Sequence, residues 1–155
     1  GDQGTALGLE SMDGWAMYEV SNKSATGFTL KSNAAQNEND CCGADIIFGT
    51  TKKVTFTVTN NANEECWVQV LIKKDGSTTP ESGSRVTSAK LDGVTVEGDI
   101  TWGVNTTIDS GASKNFELVL NGTDADKFVF ALNSNAASLS KTSGNITVSN
   151  ALKYN

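Results

Sequence analysis

KVTFTVTNNANEECWVQVLIKKDG, residues 53–76, is the stretch from which the fold can be read. Val54, Phe56 and Val58 alternate with Thr55, Thr57 and Thr59. Side chains alternate across a strand, so this segment has one apolar face and one row of hydroxyls. Asn60, Asn61, Ala62, Asn63 and Glu64 break the pattern. Asn tolerates left-handed backbone and bonds its own main chain, so a hairpin loop is expected here. A second strand follows, with Cys66, Val68, Val70 and Ile72 on one face and Trp67, Gln69, Leu71 and Lys73 on the other. That second face is neither core nor plain solvent surface. A Trp beside a Gln and a Lys on a rigid strand suits a polar ligand with an apolar side.

Outward from this stretch the same alternation recurs. Phe116, Leu118 and Leu120 alternate with Glu117 and Val119, and Phe128, Phe130 and Leu132 alternate with Val129 and Ala131. Together with Val54, Phe56, Val58, Val68, Val70 and Ile72 they form the expected core. Residues 15–20 and 28–31 read as a hairpin, with a polar turn at 21–26. Further strands are expected at 44–48, 94–104 and 145–154, with Gly98 interrupting the 94–104 stretch, and residues 85–89 read as a short strand or a bend. Residues 1–13 read as a loosely ordered lead-in. No tract carries a 3.6-residue period, and no internal repeat is visible. About nine to eleven short strands with frequent turns predict an all-β fold, an antiparallel two-sheet β-sandwich. One domain over residues 1–155 is expected.

Composition narrows the partners. The 155 residues carry 12 Lys and Arg against 18 Asp and Glu, a net charge of −6, with no His. The pI is about 4.6. No basic run is present, so nucleic acid is not an expected partner. No apolar run reaches the roughly 20 residues of a membrane span, so membrane insertion is not expected either. Without His, a histidine-based triad or metal centre is excluded. Richness in Asn, Ser, Thr and Gly is that of a secreted β protein. The chain opens on Gly1 and reads as a trimmed piece of a longer parent.

Three cysteines, Cys41, Cys42 and Cys66, leave one over in any pairing. Cys66 is either a small core residue or the partner of Cys41 or Cys42 in an oxidising compartment, with a vicinal 41–42 bridge as a third option. Zinc is not expected, since the set lacks a second Cys pair and any His.

The order of pieces resembles a known family. Gly14-Trp15 opens a strand, and Gly27-Phe28-Thr29-Leu30 follows a turn. Lys53 to Val58 comes next, paired with Trp67-Val68-Gln69-Val70. Trp102 precedes a Gly/Ser turn and Phe116-Glu117-Leu118-Val119-Leu120. Phe128-Val129-Phe130 and Gly144-Asn145-Ile146-Thr147-Val148-Ser149-Asn150 close the pattern. This looks like the jelly-roll carbohydrate-binding modules of the family 4, 9 and 22 type. The resemblance spans most of the chain and rests on strand patterns, not signature residues. It implies a jelly-roll-like sandwich that holds a plant or microbial polysaccharide across a sheet, on aromatic and amide side chains. It also implies a secreted or cell-surface, multimodular bacterial parent. The family often has a calcium-holding carboxylate in the final strand, where this chain reads Val148-Ser149-Asn150. No metal and no cofactor is therefore expected.

Trp67 and Gln69 are the leading ligand-binding candidates. Sugars present C–H faces and hydroxyls, which an indole plane and an amide match. Trp15 and Tyr18 fall on opposite faces of one expected strand, one toward the core and the other at the rim. Trp102 shares its face with Ile100 and Val104, which reads as core, near a sheet edge. For catalysis, Glu97 and Asp99 lie two apart but flank Gly98 at a bend, and Glu64 and Glu65 sit in a loop. An opposed carboxylate pair is needed for glycoside hydrolysis. None is indicated, and the chain is read as a non-enzyme without catalytic residues. Asp124 and Asp126 lack the ligand count for calcium. Asn22, Asn105, Asn121 and Asn145 head Asn-x-Ser/Thr sequons, which matter only in a eukaryotic secretory host. The rival reading is an immunoglobulin-like structural or adhesin domain, with Trp67 buried under a loop.

Overall fold

A computed structural model describes residues 3–14, 18–32, 40–47, 53–74, 85–101, 103–120, 127–134 and 146–154. Among these, thirteen strands and no helix are found. They are β1 (Thr5–Ala6), β2 (Glu10–Gly14), β3 (Tyr18–Ser24), β4 (Gly27–Ser32), β5 (Asp40–Ile47), β6 (Lys53–Asn60) and β7 (Cys66–Lys74). Then come β8 (Val86–Leu91), β9 (Val94–Thr95), β10 (Val104–Ile108), β11 (Ser113–Leu120), β12 (Lys127–Ser134) and β13 (Ile146–Tyr154). They form an antiparallel two-sheet sandwich of jelly-roll type. One sheet runs β3-β4-β13-β6-β11-β8-β9, with β1 as its eighth strand on β13, and the other runs β10-β7-β12-β5-β2.

The expected hairpin between β6 and β7 does not exist. β6 pairs with β11 and β13, and β7 pairs with β10 and β12, so residues 60–65 carry the chain from one sheet to the other. The physical reason lies in the two apolar faces. Val54 and Val58 are fully buried, as are Val68, Val70 and Ile72. An arch turns these faces toward each other across the core, whereas a hairpin would set them side by side.

Asn60 makes the arch. Its side chain is 0 % exposed. The Nδ2 group donates to the carbonyls of Glu64 at 2.9 Å and Ile108 at 2.8 Å, and Oδ1 accepts from the Ala62 N–H at 2.8 Å. Its main chain donates to Ala112 and accepts from Gly111. A second crossing, from β10 to β11, stacks on the first, and Ser110 Oγ donates to the Ala62 carbonyl at 2.7 Å. A buried amide with its donors and acceptor engaged is stable where an unpaired one is costly.

Among the described residues, Val54, Phe56, Val58, Val68, Val70, Ile72, Phe116, Leu118 and Leu120 are buried as alternation predicts, with additions. Phe56 and Phe116 are cross-strand partners, their rings stacked at 4.9 Å between centroids. Phe130 and Leu132 hold the register positions opposite Ile72 and Val70, and the side chains expected to add to the core from β12, those of Phe128, Phe130 and Leu132, lie outside the described residues. The opening segment is not a lead-in: Leu7 is 0 % and Leu9 5 % exposed, and β1 pairs with the end of β13 through Thr5↔Lys153 and Ala6↔Leu152. The hairpin expected near residues 15–31 is present as β3–β4, with its turn reduced to Ala25 and Thr26.

Cys66 is a buried thiol. β7 and β5 both flank β12, so they lie two strand spacings, about 10 Å, apart. Disulfides need Cα atoms within roughly 7 Å. Cys66 is thus a core residue out of reach of Cys41 and Cys42, which sit on β5 opposite Asn133 and Leu132.

Candidate functional site

The outer face of the five-stranded sheet is built around β7. Inward residues Cys66, Val68 and Val70 are buried, and the alternate residues Trp67 and Gln69 are partly exposed. The register adds residues that lie far away in sequence. Thr107 of β10 is the Cα partner of Trp67, and Asn105 is the partner of Gln69. Both are exposed. Directly paired residues share a face. Trp67, Gln69, Asn105 and Thr107 therefore form one patch of an indole, two amides and a hydroxyl. On the other side of β7, Asn133 of β12 occupies the register position opposite Gln69. The patch is bounded along β7 by Leu71, which is only 8 % exposed although its parity points outward.

Gly103 sets the entry to β10 beside this patch. Its φ is +111°, and a Cβ there would stand 2.8 Å from the Val70 carbonyl oxygen and 3.0 Å from Gln69 Cγ. Only glycine lets the chain approach β7 this closely.

The other sequence candidates are not gathered here. Tyr18 opens β3, an edge of the eight-stranded sheet, whereas Trp67 belongs to the five-stranded one. Trp15 and Trp102 lie outside the described residues. The alternation that grouped Trp102 with Ile100 and Val104 assumed a continuous strand. Residues 96–101 are irregular, and β10 begins only at Val104 after the positive φ of Gly103.

Asn105 and Thr107 are the residues that sequence reading missed as site members. Asn105 stood out only as a sequon. No local signal marks β10 as the neighbour of β7, because pairing between distant strands leaves no trace in either strand's own pattern.

Among the acidic candidates, Asp99 is engaged locally by Thr101. Asp99 Oδ1 accepts from the Thr101 hydroxyl at 2.6 Å and from the Thr101 N–H at 2.9 Å. The hydroxyl bond first, and the backbone bond second, hold its carboxyl below the ordinary aspartate value. A carboxyl stabilised as the anion is a poor proton donor. Glu97, Glu64 and Glu65 are exposed. Asp124 and Asp126 lie outside the described residues.

No protein-family model matches the chain, and no curated protein matches it. Solved structures do. PfGH50B aligns over 98% of this chain and 23% of its own, at 6% identity and a TM-score of 0.52. A xylan-binding domain from carbohydrate-binding module family 22 aligns over 92% of this chain and 85% of its own, at 11% identity and a TM-score of 0.46. The family 11 carbohydrate-binding module from Clostridium thermocellum, in complex with a β-1,3-1,4-mixed-linked tetrasaccharide, aligns over 96% and 89%, at 14% identity and a TM-score of 0.42. Several carbohydrate-binding modules thus stand among the structural neighbours, and at such identities the likeness is one of fold. It does not assign the chain to family 4, 9 or 22.

Proposed function

We propose that the chain is a non-catalytic carbohydrate-binding module that holds a neutral polysaccharide on the outer face of the five-stranded sheet. The observation that carries this reading is the register of β10 on β7, which sets Thr107 opposite Trp67 and Asn105 opposite Gln69. The indole offers a flat apolar surface to the C–H face of a sugar ring. The amides of Gln69 and Asn105 each donate and accept, and so match vicinal hydroxyls. Trp15, Tyr18 and Trp102 remain candidate contacts beyond this group. The strands hold the patch, so little ordering accompanies binding. A secreted or cell-surface, multimodular bacterial parent fits such a module, with a plant or microbial glycan as its target.

The test is affinity electrophoresis of wild type and Trp67→Ala through soluble β-glucans, xylans, mannans and pectins. At least one polymer should retard the wild type. Truncating a central Trp should weaken that binding by more than about 2 kcal/mol, some thirtyfold. A mutant retarded as strongly as wild type would remove Trp67 from the site. The burial of Leu71 on the same face favours a second reading, a structural or adhesin domain with this face covered. That reading gains if no polymer retards the wild type.

A further inference from the structure

The hydroxyl row seen first in Thr55, Thr57 and Thr59 lies on the outer face of the other, eight-stranded sheet, and the platform on β7 makes no use of it. There the row is extended across strands by side-chain bonds. Thr57 Oγ1 donates to Asn115 Oδ1 at 2.8 Å, Thr59 and Ser113 hydroxyls meet at 2.7 Å, and those of Thr29 and Thr147 at 3.3 Å. Asn61 Nδ2 donates to Thr147 Oγ1 at 2.9 Å. The face is not flat. The register of β13 shifts between Ser149 and Leu152, and Asn150 within this bulge has a φ of 51°. A depression of about 270 Å³ opens on one side of Asn150, against Thr55, Thr57, Asn115 and Glu117. Another of about 260 Å³ opens on the other side, against Asn22, Thr29, Thr147 and Ser149. Asn150 lines both.

We infer that this face is a second binding face, for a neutral oligosaccharide that crosses the strands through both depressions with Asn150 between them. From β3 to β8 the path spans five strand spacings, about 24 Å. Charge around the first depression is balanced. Lys53 and Lys90 both approach Glu117, at 3.7 and 4.0 Å, and Asp92 Oδ1 accepts from the Asn115 N–H. Such a surface does not select for an anion or a cation. A hydroxyl carries one donor and two acceptor sites, so each cross-strand bond fixes its orientation and leaves an acceptor site over. Fixed groups that both give and accept hydrogen bonds match a polyol, and their mutual bonding lowers the cost of ordering them. The face differs from the β7 platform in resting on amides and hydroxyls rather than an indole.

The experiment is an amide NMR titration of the intact chain with hexasaccharides of β-1,4-linked glucose, xylose, mannose and galactose. Three variants are compared with wild type. Asn150→Gly removes the amide where glycine accepts the backbone, Thr57→Val removes a hydroxyl at constant shape, and Trp67→Ala disables the other face. Saturable shifts are expected at Thr57, Asn115, Ser149 and Asn150, and they should persist in Trp67→Ala. Each of the other two variants should weaken them about threefold to tenfold, one hydrogen bond's worth. If no sugar moves these amides, or if their shifts vanish with Trp67, the inference is overturned. Shifts that track protein concentration without sugar would make the face a contact between copies and would also overturn it. If sugar moves only these amides and none on β7 or β10, this face stands and the platform falls.

Discussion

Asn60 looks in sequence like one more Asn in a polar loop, yet it holds the corner of the sandwich. Its side chain satisfies two carbonyls and one N–H at a site with no exposure. Asn60→Ala would leave those groups without partners, and the expected loss is about 3 kcal/mol. A lower urea midpoint at unchanged slope would show it, and an unchanged midpoint would refute the role given to this amide. Asp99 offers a test of a different kind, because its carboxyl is fully exposed. Hydrogen bonds from Thr101 depress its folded value, so its small contribution is present above the ordinary aspartate value. That contribution fades as pH falls through the lowered value. Following the Asp99 carboxyl by NMR should show titration below an ordinary aspartate, and Thr101→Val should move it back up. Titration at the ordinary value in wild type would contradict the geometry.

Strands were legible where they alternate over several residues, as in β6, β7, β11 and β12. Their partners were not. Alternation tells which face a residue takes and says nothing about which strand lies beside it, so β6 and β7 looked like a hairpin and proved to lie in different sheets. For the same reason Trp67 and Gln69 were found from parity, but Asn105 and Thr107 were not. Leu7 and Leu9 escaped because only two apolar residues alternate there, around a Gly8 whose φ is +85°, too short a pattern to mark a buried segment. Asp92-Gly93 was passed over in the sequence, although both residues have positive φ, at 50° and 83°, and they turn β8 into β9 as an Asp-Gly pair often does. Element seams also fix which glycines tolerate change. A Cβ on Gly27 would run into the Val148 carbonyl oxygen where β4 meets β13, and backbone there cannot yield. Gly27→Ala should cost about 1–3 kcal/mol. Gly111→Ala meets open space and only the positive φ of 77°, so about 1 kcal/mol is expected. Thermal melts of the two variants compare these costs directly, and equal shifts would argue against a close seam.

For the whole molecule, two opposite faces with different chemistry follow from one sandwich. The five-stranded sheet turns an indole and amides outward, and the eight-stranded sheet turns out hydroxyls and a paired charge group. The fold class was readable because many short alternating segments admit few packings other than two stacked sheets. The layout was not, because the order of strands depends on contacts between distant parts of the chain. The pairing of β1 with the end of β13 has a mechanical consequence. Thr5 faces Lys153 and Ala6 faces Leu152, so the stretches leading away from these pairs, before Thr5 and beyond Lys153, depart from the same end of the ladder. Tension through them loads the hydrogen bonds one after another, like a zip, rather than all at once in shear. In an optical trap the first yielding event should come at low force and release only the short opening strand. Tied into a longer polymer, the sandwich would give slack at its seam before its core carried the pull.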